Sequence, residues 1–171
     1  IRFDVRPAIP DQSPSGKSVG IFGQLTGSRA DLILPDDVEV PNTSWSVGMR
    51  EKLVTSVGEF NAILKPGGQI MFLGTPQTEE SIYNKLRQRG YDCRIWPARY
   101  PQKPEKYGGA LAPVIEELCL EQQGKPTDPR RFSEFDLMER EASYGRSAFA
   151  LQYQLDTSLS DKERFPLRLA D

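Results

Sequence analysis

The sequence has 171 residues, of which 37% are hydrophobic and 27% charged, as in a folded globular protein with one main domain. Its net charge of -2 gives no overall basic field to attract nucleic acid. It contains no histidine and two widely separated cysteines, which excludes a His/Cys zinc site and a histidine-based triad and fits a reducing cytoplasm. No apolar run approaches the roughly 20 residues of a membrane span, and no signal peptide is present, so we expect no membrane partner. Because the sequence begins with Ile1, we expect it to be a piece of a longer protein.

The N-terminal region predicts a hairpin with strands at 1–5 and 19–22 and a polar, turn-rich loop over 11–18. That loop contains Gly16-Lys17-Ser18, the end of a phosphate-binding loop motif. The first glycine of that motif falls at Asp11, and the residues after Ser18 read as strand, whereas a phosphate loop leads into a helix. We therefore interpret the triplet as part of a solvated hairpin turn.

The central region alternates strands and helices. An all-apolar run at 32–34 predicts a strand buried on both faces, and apolar spacings of three and four predict a helix over 44–64. A second apolar strand is predicted at 69–73, followed by a helix that Thr78 caps and Gly90 ends. A third strand is predicted at 91–96. This order indicates an α/β fold with a mostly parallel sheet.

The C-terminal region reads as a helical subdomain. After a loop at 101–109, apolar spacing predicts helices at 111–122, 135–144 and 147–155. Residues 156–171 read as an extended exit segment.

The strongest chemical signal is the stretch ADLILPDDVEV at 30–40, where an apolar strand runs into Asp36 and Asp37, with Glu39 two residues on. This is the Walker B pattern, in which one carboxylate holds Mg²⁺ and the next residue orients or deprotonates the attacking water. Because Asp37 is a methylene shorter than the usual glutamate, Glu39 is a candidate to replace it. The acidic pair could instead open a turn or cap a helix.

A second signal follows the next strand, where Gly74-Thr75-Pro76 comes directly after the apolar run. In open α/β sheets, ligands bind at the carboxyl ends of the strands. A small residue and a hydroxyl at that edge suit a sensor of the terminal phosphate, although Gly and Pro also form plain turns.

Four segments in order resemble the large terminase subunit of short-tailed podophages, also called DNA maturase B. They are GQLTGSRADLILPDDVEV, MFLGTPQTE, GKPTDPRRF and LSDKERFPLRLAD. The resemblance runs from about Ser18 to the last residues. It implies part of a P-loop NTPase core of the additional-strand type, to which ATP and Mg²⁺ bind.

By this resemblance, Asp36 is the metal carboxylate and contributes to ATP binding, Asp37 stands at the catalytic position, and Gly74 and Thr75 form the coupling motif that also contacts nucleotide. The implied domains are an ATPase core over 1–100, a helical subdomain over 101–155 and a linker over 156–171 toward a separate endonuclease domain. The Walker A loop is expected upstream, so we expect this chain to be inactive alone.

The resemblance also implies an activity and partners. The full-length protein is expected to hydrolyse Mg-ATP and translocate double-stranded DNA into a procapsid in the host cytoplasm, and to be absent from the mature virion. Its implied partners are double-stranded DNA, the portal protein, the small terminase subunit and further copies of itself. Two alternatives are a non-catalytic docking module and a helicase-like ATPase that does not package DNA.

Basic residues between 85 and 106 and Arg29 are further candidates for a DNA contact or an arginine finger. A solvated surface is the competing interpretation. The basic residues of this segment are Lys85, Arg87, Arg89, Arg94, Arg99, Lys103 and Lys106.

Overall fold

The computed structural model describes residues 1–7, 9, 13–25 and 27–158. The chain forms two compact units, Ile1–Gly74 and Thr75–Asp171. Helices and small sheets occur together, and the mixed α/β class is as predicted. The functional boundaries expected at residues 100 and 155 stay predictions.

A short antiparallel hairpin begins the first unit, with β1 at Arg2–Phe3 and β2 at Gly16–Lys17. The strand predicted at 19–22 is wrong, because those residues have no strand pairing. The pairing occurs earlier because Gly16 has no side chain. A Cβ there would lie 2.3 Å from Cζ of Phe3, so glycine lets the Phe3 ring lie against the opposite strand.

The second sheet of this unit is parallel, with β3 at Ala30–Ile33 beside β4 at Leu64–Ile70. The strand predicted at 69–73 therefore begins five residues earlier. The register shifts between Ala30 and Leu32, opposite Gly68. A Cβ on Gly68 would lie 2.9 Å from the Asp31 carbonyl oxygen, so this irregular pairing requires a glycine.

One face of the β3–β4 sheet packs on a helix, and the other is open. On the covered face, the Phe72 and Phe60 rings lie 6.0 Å apart. On the opposite face, Leu32 and Leu34 are 50% and 55% exposed. The prediction that this strand is buried on both faces is therefore wrong, because the helices of the described residues cover only one side.

The predicted helix over 44–64 forms in three pieces. Ser46 caps the longest piece, because its Oγ accepts a hydrogen bond from the Met49 amide at 3.2 Å. The predicted apolar stripe is buried, with Leu53, Val57 and Phe60 each at most 4% exposed. The three helices are α1 (Pro41–Ser44), α2 (Val47–Gly58) and α3 (Phe60–Ile63).

The second unit begins with α4 at Ile82–Gln88, which ends before Gly90 (φ +89°) as predicted. Its cap is Ser81, whose Oγ accepts from the Tyr83 amide, and the predicted Thr78 cap is wrong. Thr78 lies three residues before Ser81, too far from the first turn of α4 to cap it. Its buried Oγ1 has no hydrogen-bond partner in the described part of the chain.

The strand predicted at 91–96 is also wrong, because only Ile95 pairs, in a single parallel bridge with Leu111. The Ile95 amide donates to the Ala110 carbonyl at 2.8 Å, and the Ala112 amide donates to the Ile95 carbonyl at 3.0 Å. Two hydrogen bonds hold this segment in place without extending it into a sheet.

The three predicted C-terminal helices are confirmed: two are shorter than predicted, and the middle one begins one residue earlier. They follow a 3₁₀ turn at Pro104–Tyr107, and this unit also contains a buried cluster. The cluster comprises Tyr100, Tyr107, Leu111, Ala112 and Ile115. The helices are α5 (Pro113–Leu118), α6 (Glu134–Tyr144) and α7 (Arg146–Gln152). Most of the predicted linker, from residue 159 on, lies outside the described residues. Across the described ranges, no helix has the length and apolar character needed to cross a membrane.

Candidate functional site

The acidic pair lies at the carboxyl edge of the parallel sheet, where the backbone ladder continues past the ends of β3 and β4. The Leu73 amide donates to the Pro35 carbonyl at 2.9 Å, and the Asp37 amide donates to the Leu73 carbonyl at 3.0 Å. Asp36 is therefore paired with Leu73, the residue directly before Gly74. The two strand ends that the sequence singled out lie side by side.

Pro35 explains how the strand ends here. Proline has no amide hydrogen to donate, but its carbonyl still accepts the bond from Leu73. The residue is buried, whereas Asp36 and Asp37 after it are exposed. The chain thus leaves the packed sheet at the acidic pair and presents both carboxylates to solvent.

Asp37 has an unusual backbone, with φ +44° in the left-handed region. Few residues other than glycine adopt this conformation, and aspartate is among those that tolerate it. The Asp37–Leu73 hydrogen bond holds the peptide in this turn. Strained backbones of this kind concentrate at functional sites, so this feature supports a functional edge.

Glu39, the alternative catalytic acid, occupies a different environment. Its side chain is 2% exposed, in the segment that leads into α1. Since Asp36 and Asp37 are open to solvent, they are more accessible to a bound molecule than Glu39 is. The catalytic assignments of Asp37 and Glu39 stay predictions.

Gly74 and Thr75, the predicted coupling pair, belong to different units of the chain. Gly74 is the last residue of the first unit and Thr75 the first of the second. Gly74 is exposed and Thr75 is half-buried, with its carbonyl accepting a hydrogen bond from Nε2 of Gln77 at 3.2 Å. A phosphate-sensing role for these residues stays a prediction.

The donor set at this edge fits Mg²⁺ only in part. Magnesium is commonly held by one or two carboxylates, with water and substrate phosphates completing its shell. Asp36 and Asp37 could supply these one or two carboxylate ligands. Within the described residues, no three acidic or thiol side chains converge to form a complete metal site. Further ligands would have to come from water and a nucleotide.

The Gly16-Lys17-Ser18 triplet does not form a phosphate loop. Gly16 and Lys17 belong to β2, and no helix follows within the next 20 described residues. The Lys17 Nζ instead donates to Oγ of Ser28 at 2.7 Å. Gly16 and Lys17 therefore form a strand of the hairpin, whereas the sequence predicted that they lie in its turn.

A comparison with curated proteins finds a similar protein. Over 181 aligned positions the chain is 54% identical to the large terminase subunit of Enterobacteria phage T3. The alignment includes the whole of this chain. The chain therefore matches part of a large terminase subunit. It spans 31% of the length of that relative, and no family model matches it.

Five of the seven basic residues in the 85–106 segment form side-chain hydrogen bonds or ion pairs within the second unit. Arg99 contacts Glu134 at 2.6 Å and the Gly124 carbonyl at 2.8 Å. Arg87 donates to the carbonyls of Tyr107 and Gly108. Three more form ion pairs: Lys85 with Glu80, Arg94 with Asp92, and Lys106 with Asp156.

Two residues of this segment, Arg89 and Lys103, show no side-chain partner among the described residues. Among the described residues, the exposed guanidinium of Arg29 in the first unit donates only to the neighbouring Ser28 carbonyl, at 2.9 Å. These three are better candidates for contacting DNA or nucleotide than the paired ones.

Proposed function

We propose that the full-length protein is an ATP-driven motor that packages phage DNA, and that this chain contains the metal-binding edge of its nucleotide site. The observation that carries the proposal is the pairing of Asp36 with Leu73, which sets two exposed carboxylates beside the Gly74 strand end. The relationship to a large terminase subunit supports a role in packaging. The proposed fold around this edge is a P-loop NTPase core.

The proposed chemistry follows from the positions of these side chains. The carboxylate of Asp36 would hold Mg²⁺, which when bound neutralises charge on the terminal phosphates of ATP. Asp37, fixed by its left-handed backbone, would orient or deprotonate the attacking water, with Glu39 as the alternative acid. Gly74 and Thr75 would contact the nucleotide and couple hydrolysis to DNA movement. Alone, this chain would hold only part of the site and show no ATP turnover.

The proposed setting is the host cytoplasm during virion assembly, and the protein would be absent from the mature virion. Its partners would be double-stranded DNA, the portal protein, the small terminase subunit and further copies of itself. We propose no membrane partner. A separate endonuclease domain would lie elsewhere in the full-length protein. A helicase-like ATPase without a packaging role is the weaker alternative.

Packaging of DNA into procapsids by the full-length protein tests this function. Asp36→Asn should reduce packaging about a hundredfold or more, because a carboxamide holds magnesium poorly. Asp31→Asn is the matched control, since Asp31 is 82% exposed and only pairs with Lys65 on the surface. Wild-type packaging by the Asp36→Asn protein would contradict the proposal.

One observation favours a second candidate, a docking module without catalysis. The open face of the β3–β4 sheet exposes four apolar side chains, each about half accessible. They are Leu32, Leu34, Met71 and Leu73. A pure docking role predicts that Asp36→Asn packages normally, whereas charged substitutions on this face abolish packaging.

A further inference from the structure

A cleft of about 770 Å³ opens within the second unit. This volume falls within the roughly 300–1,000 Å³ of clefts that bind small ligands. Aromatic rings and a few polar side chains form its lining, and we call it the aromatic cleft. Its principal lining residues are Trp96, Asp128, Arg131, Phe132, Tyr144 and Tyr153.

The aromatic rings of the cleft form a packed wall with open surface beside it. The Tyr153 ring stacks on Phe149, with 5.0 Å between the ring centroids. It also meets Phe132 and Tyr144 edge-on, at 5.9 and 5.7 Å. Trp96 and Tyr144 nevertheless remain 59% and 54% exposed. Open aromatic surface beside a packed wall suits a flat aromatic ligand that stacks on it.

Hydrogen bonds fix the segments that line the cleft. The Ala98 amide donates to the Tyr153 carbonyl at 2.7 Å, and the Thr127 amide donates to the Ala98 carbonyl at 2.9 Å. The Thr127 hydroxyl donates to the carbonyl of the buried Pro97 at 2.7 Å. Three separate segments of the chain are therefore joined before a ligand binds, which lowers the entropic cost of binding.

The charged groups at the cleft have unused hydrogen-bonding capacity. Oδ1 of Asp128 accepts a hydrogen bond from the Arg130 amide at 3.1 Å, whereas Oδ2 accepts none from the described residues. The Arg131 guanidinium lies over the Phe132 ring at 5.1 Å and forms no ion pair within the described residues. The exposed side chain of Arg130 likewise has no partner among them. A free carboxylate oxygen and two unpaired cations therefore accompany the aromatic surface.

This combination matches the chemistry of a nucleobase and its phosphate. A base that is not paired in a duplex offers a flat ring for stacking, and its phosphate complements an unpaired arginine. Cytosine, adenine and guanine also carry an exocyclic amine that can donate to a carboxylate oxygen, whereas thymine does not. We infer that the aromatic cleft binds an unpaired nucleobase with an exocyclic amine, and that Arg131 contacts the adjoining phosphate. The inference does not depend on the ATP-dependent role proposed above, since none of the residues assigned to that role lines the cleft.

Binding of a fluorescently labelled deoxycytidylate octamer to the 171-residue chain, measured by anisotropy, tests this inference. Trp96→Ala should weaken binding about tenfold, because the base loses stacking surface. Trp45→Ala is the matched control. Both tryptophans are 59% exposed, but Trp45 lies in the first unit, so its removal should change the affinity less than about twofold. Equal affinities of the two variants would overturn the proposal.

An abasic octamer with the same sugar-phosphate backbone separates base binding from attraction to phosphate. It should bind the wild-type chain about tenfold more weakly than the deoxycytidylate octamer, because it offers no ring to stack. Equal binding of the two octamers would mean that only phosphate charge is recognised, and the proposal would fail.

Asp128→Asn tests whether the base is distinguished by its amine. The wild-type chain should bind the deoxycytidylate octamer about threefold or more tightly than a thymidylate octamer. Asparagine keeps an oxygen for the Arg130 amide but replaces the second oxygen with an NH₂ group, which can donate to the thymine O4 atom. The preference should therefore disappear or reverse. An unchanged preference for cytosine would contradict the role of Asp128.

Arg131→Gln tests the phosphate contact through its salt dependence. The slope of log affinity against log salt concentration should become shallower by about 0.7, the contribution of one phosphate on a single strand. Arg94→Gln is the control, since Arg94 pairs with Asp92 and does not line the cleft. No change in the slope for Arg131→Gln, or an equal change for both variants, would contradict the contact.

Competition by deoxycytidine monophosphate distinguishes the two sources of such a base. Displacement of the octamer at an equal concentration of bases would identify a free nucleotide as the ligand. Displacement only by an unlabelled octamer would identify a DNA single strand. If neither the monophosphate nor the octamer gives saturable binding that depends on Trp96, the cleft does not bind a nucleobase.

Discussion

Asp37 pairs an acidic side chain with a backbone that most residues avoid. Its φ of +44° is accessible to glycine without strain and to aspartate at small cost, whereas a β-branched residue pays about 1–2 kcal/mol there. We expect Asp37→Val to lower the free energy of unfolding by about that amount and Asp37→Gly to change it little. Urea unfolding of the two variants checks this. Equal destabilisation would show that the left-handed backbone is not populated.

The Lys106–Asp156 pair makes stability depend on pH. Burial by itself would raise the pKa of Asp156, but hydrogen bonds from Lys106 and Ser158 outweigh it and lower the pKa below its usual range. The folded state therefore favours the carboxylate. The pair stabilises the fold above the unfolded pKa of about 3.9, and this stability is lost as the pH falls through the lower folded pKa.

Lys106→Met should therefore cost about 1 kcal/mol at pH 7 and progressively less as the pH falls below the unfolded pKa of about 3.9. Urea unfolding over a pH series from 7 downward measures the difference. Lys103→Met is the matched control, since Lys103 shows no ion pair within the described residues. A cost that stays constant with pH would mean that Lys106 acts by packing and not by charge.

At the scale of elements, Arg99 connects the loop after the Ile95 bridge to α6. Its guanidinium is 14% exposed and reaches both Glu134 and the Gly124 carbonyl. Arg99→Met should lower the free energy of unfolding by about 1–2 kcal/mol, because it removes the charged hydrogen bond to the half-buried Gly124 carbonyl together with the pair to Glu134, whose side chain is 56% exposed. Arg94→Met, which removes a surface pair with Asp92, should cost less than about 1 kcal/mol.

Thermal or urea unfolding separates these variants. If Arg99→Met kept full stability and only slowed ATP turnover in the full-length protein, Arg99 would be an arginine finger rather than a structural link.

The helices could be predicted from the sequence more reliably than the strands. The spacing of Leu53, Val57 and Phe60 is a local signal, so the central helix appears close to where it was expected. Strand position depends on distant partners. Among the described residues, the segment at 91–96 pairs only at Ile95, with Leu111, and the hairpin register depends on how Phe3 meets Gly16. Neither contact is visible in a local pattern.

The candidate site could be predicted in part for the same reason. Asp36 and Gly74 were each found from their own strand, and parallel pairing then places the two strand ends together. The left-handed turn at Asp37 and the burial of Glu39 could not be predicted, because both depend on the packing around the strand end. The cleft in the second unit that Trp96 and Tyr144 line was also missed, since its residues come from separate loops and helices.

At the scale of the whole molecule, the chain spans 31% of the length of its phage T3 relative, and its parallel sheet has one open apolar face within the described residues. Parallel sheets are normally covered on both faces. The Asp36 edge is therefore best tested in the full-length protein, where any remaining part of a nucleotide site is present.

The rate of ATP hydrolysis by full-length Asp36→Asn tests the central claim most directly. We expect turnover to fall about a hundredfold or more, while Asp31→Asn stays within about twofold of wild type. Retention of wild-type turnover by Asp36→Asn, or an equal loss in both variants, would contradict the assignment of this edge as the metal-binding part of the nucleotide site.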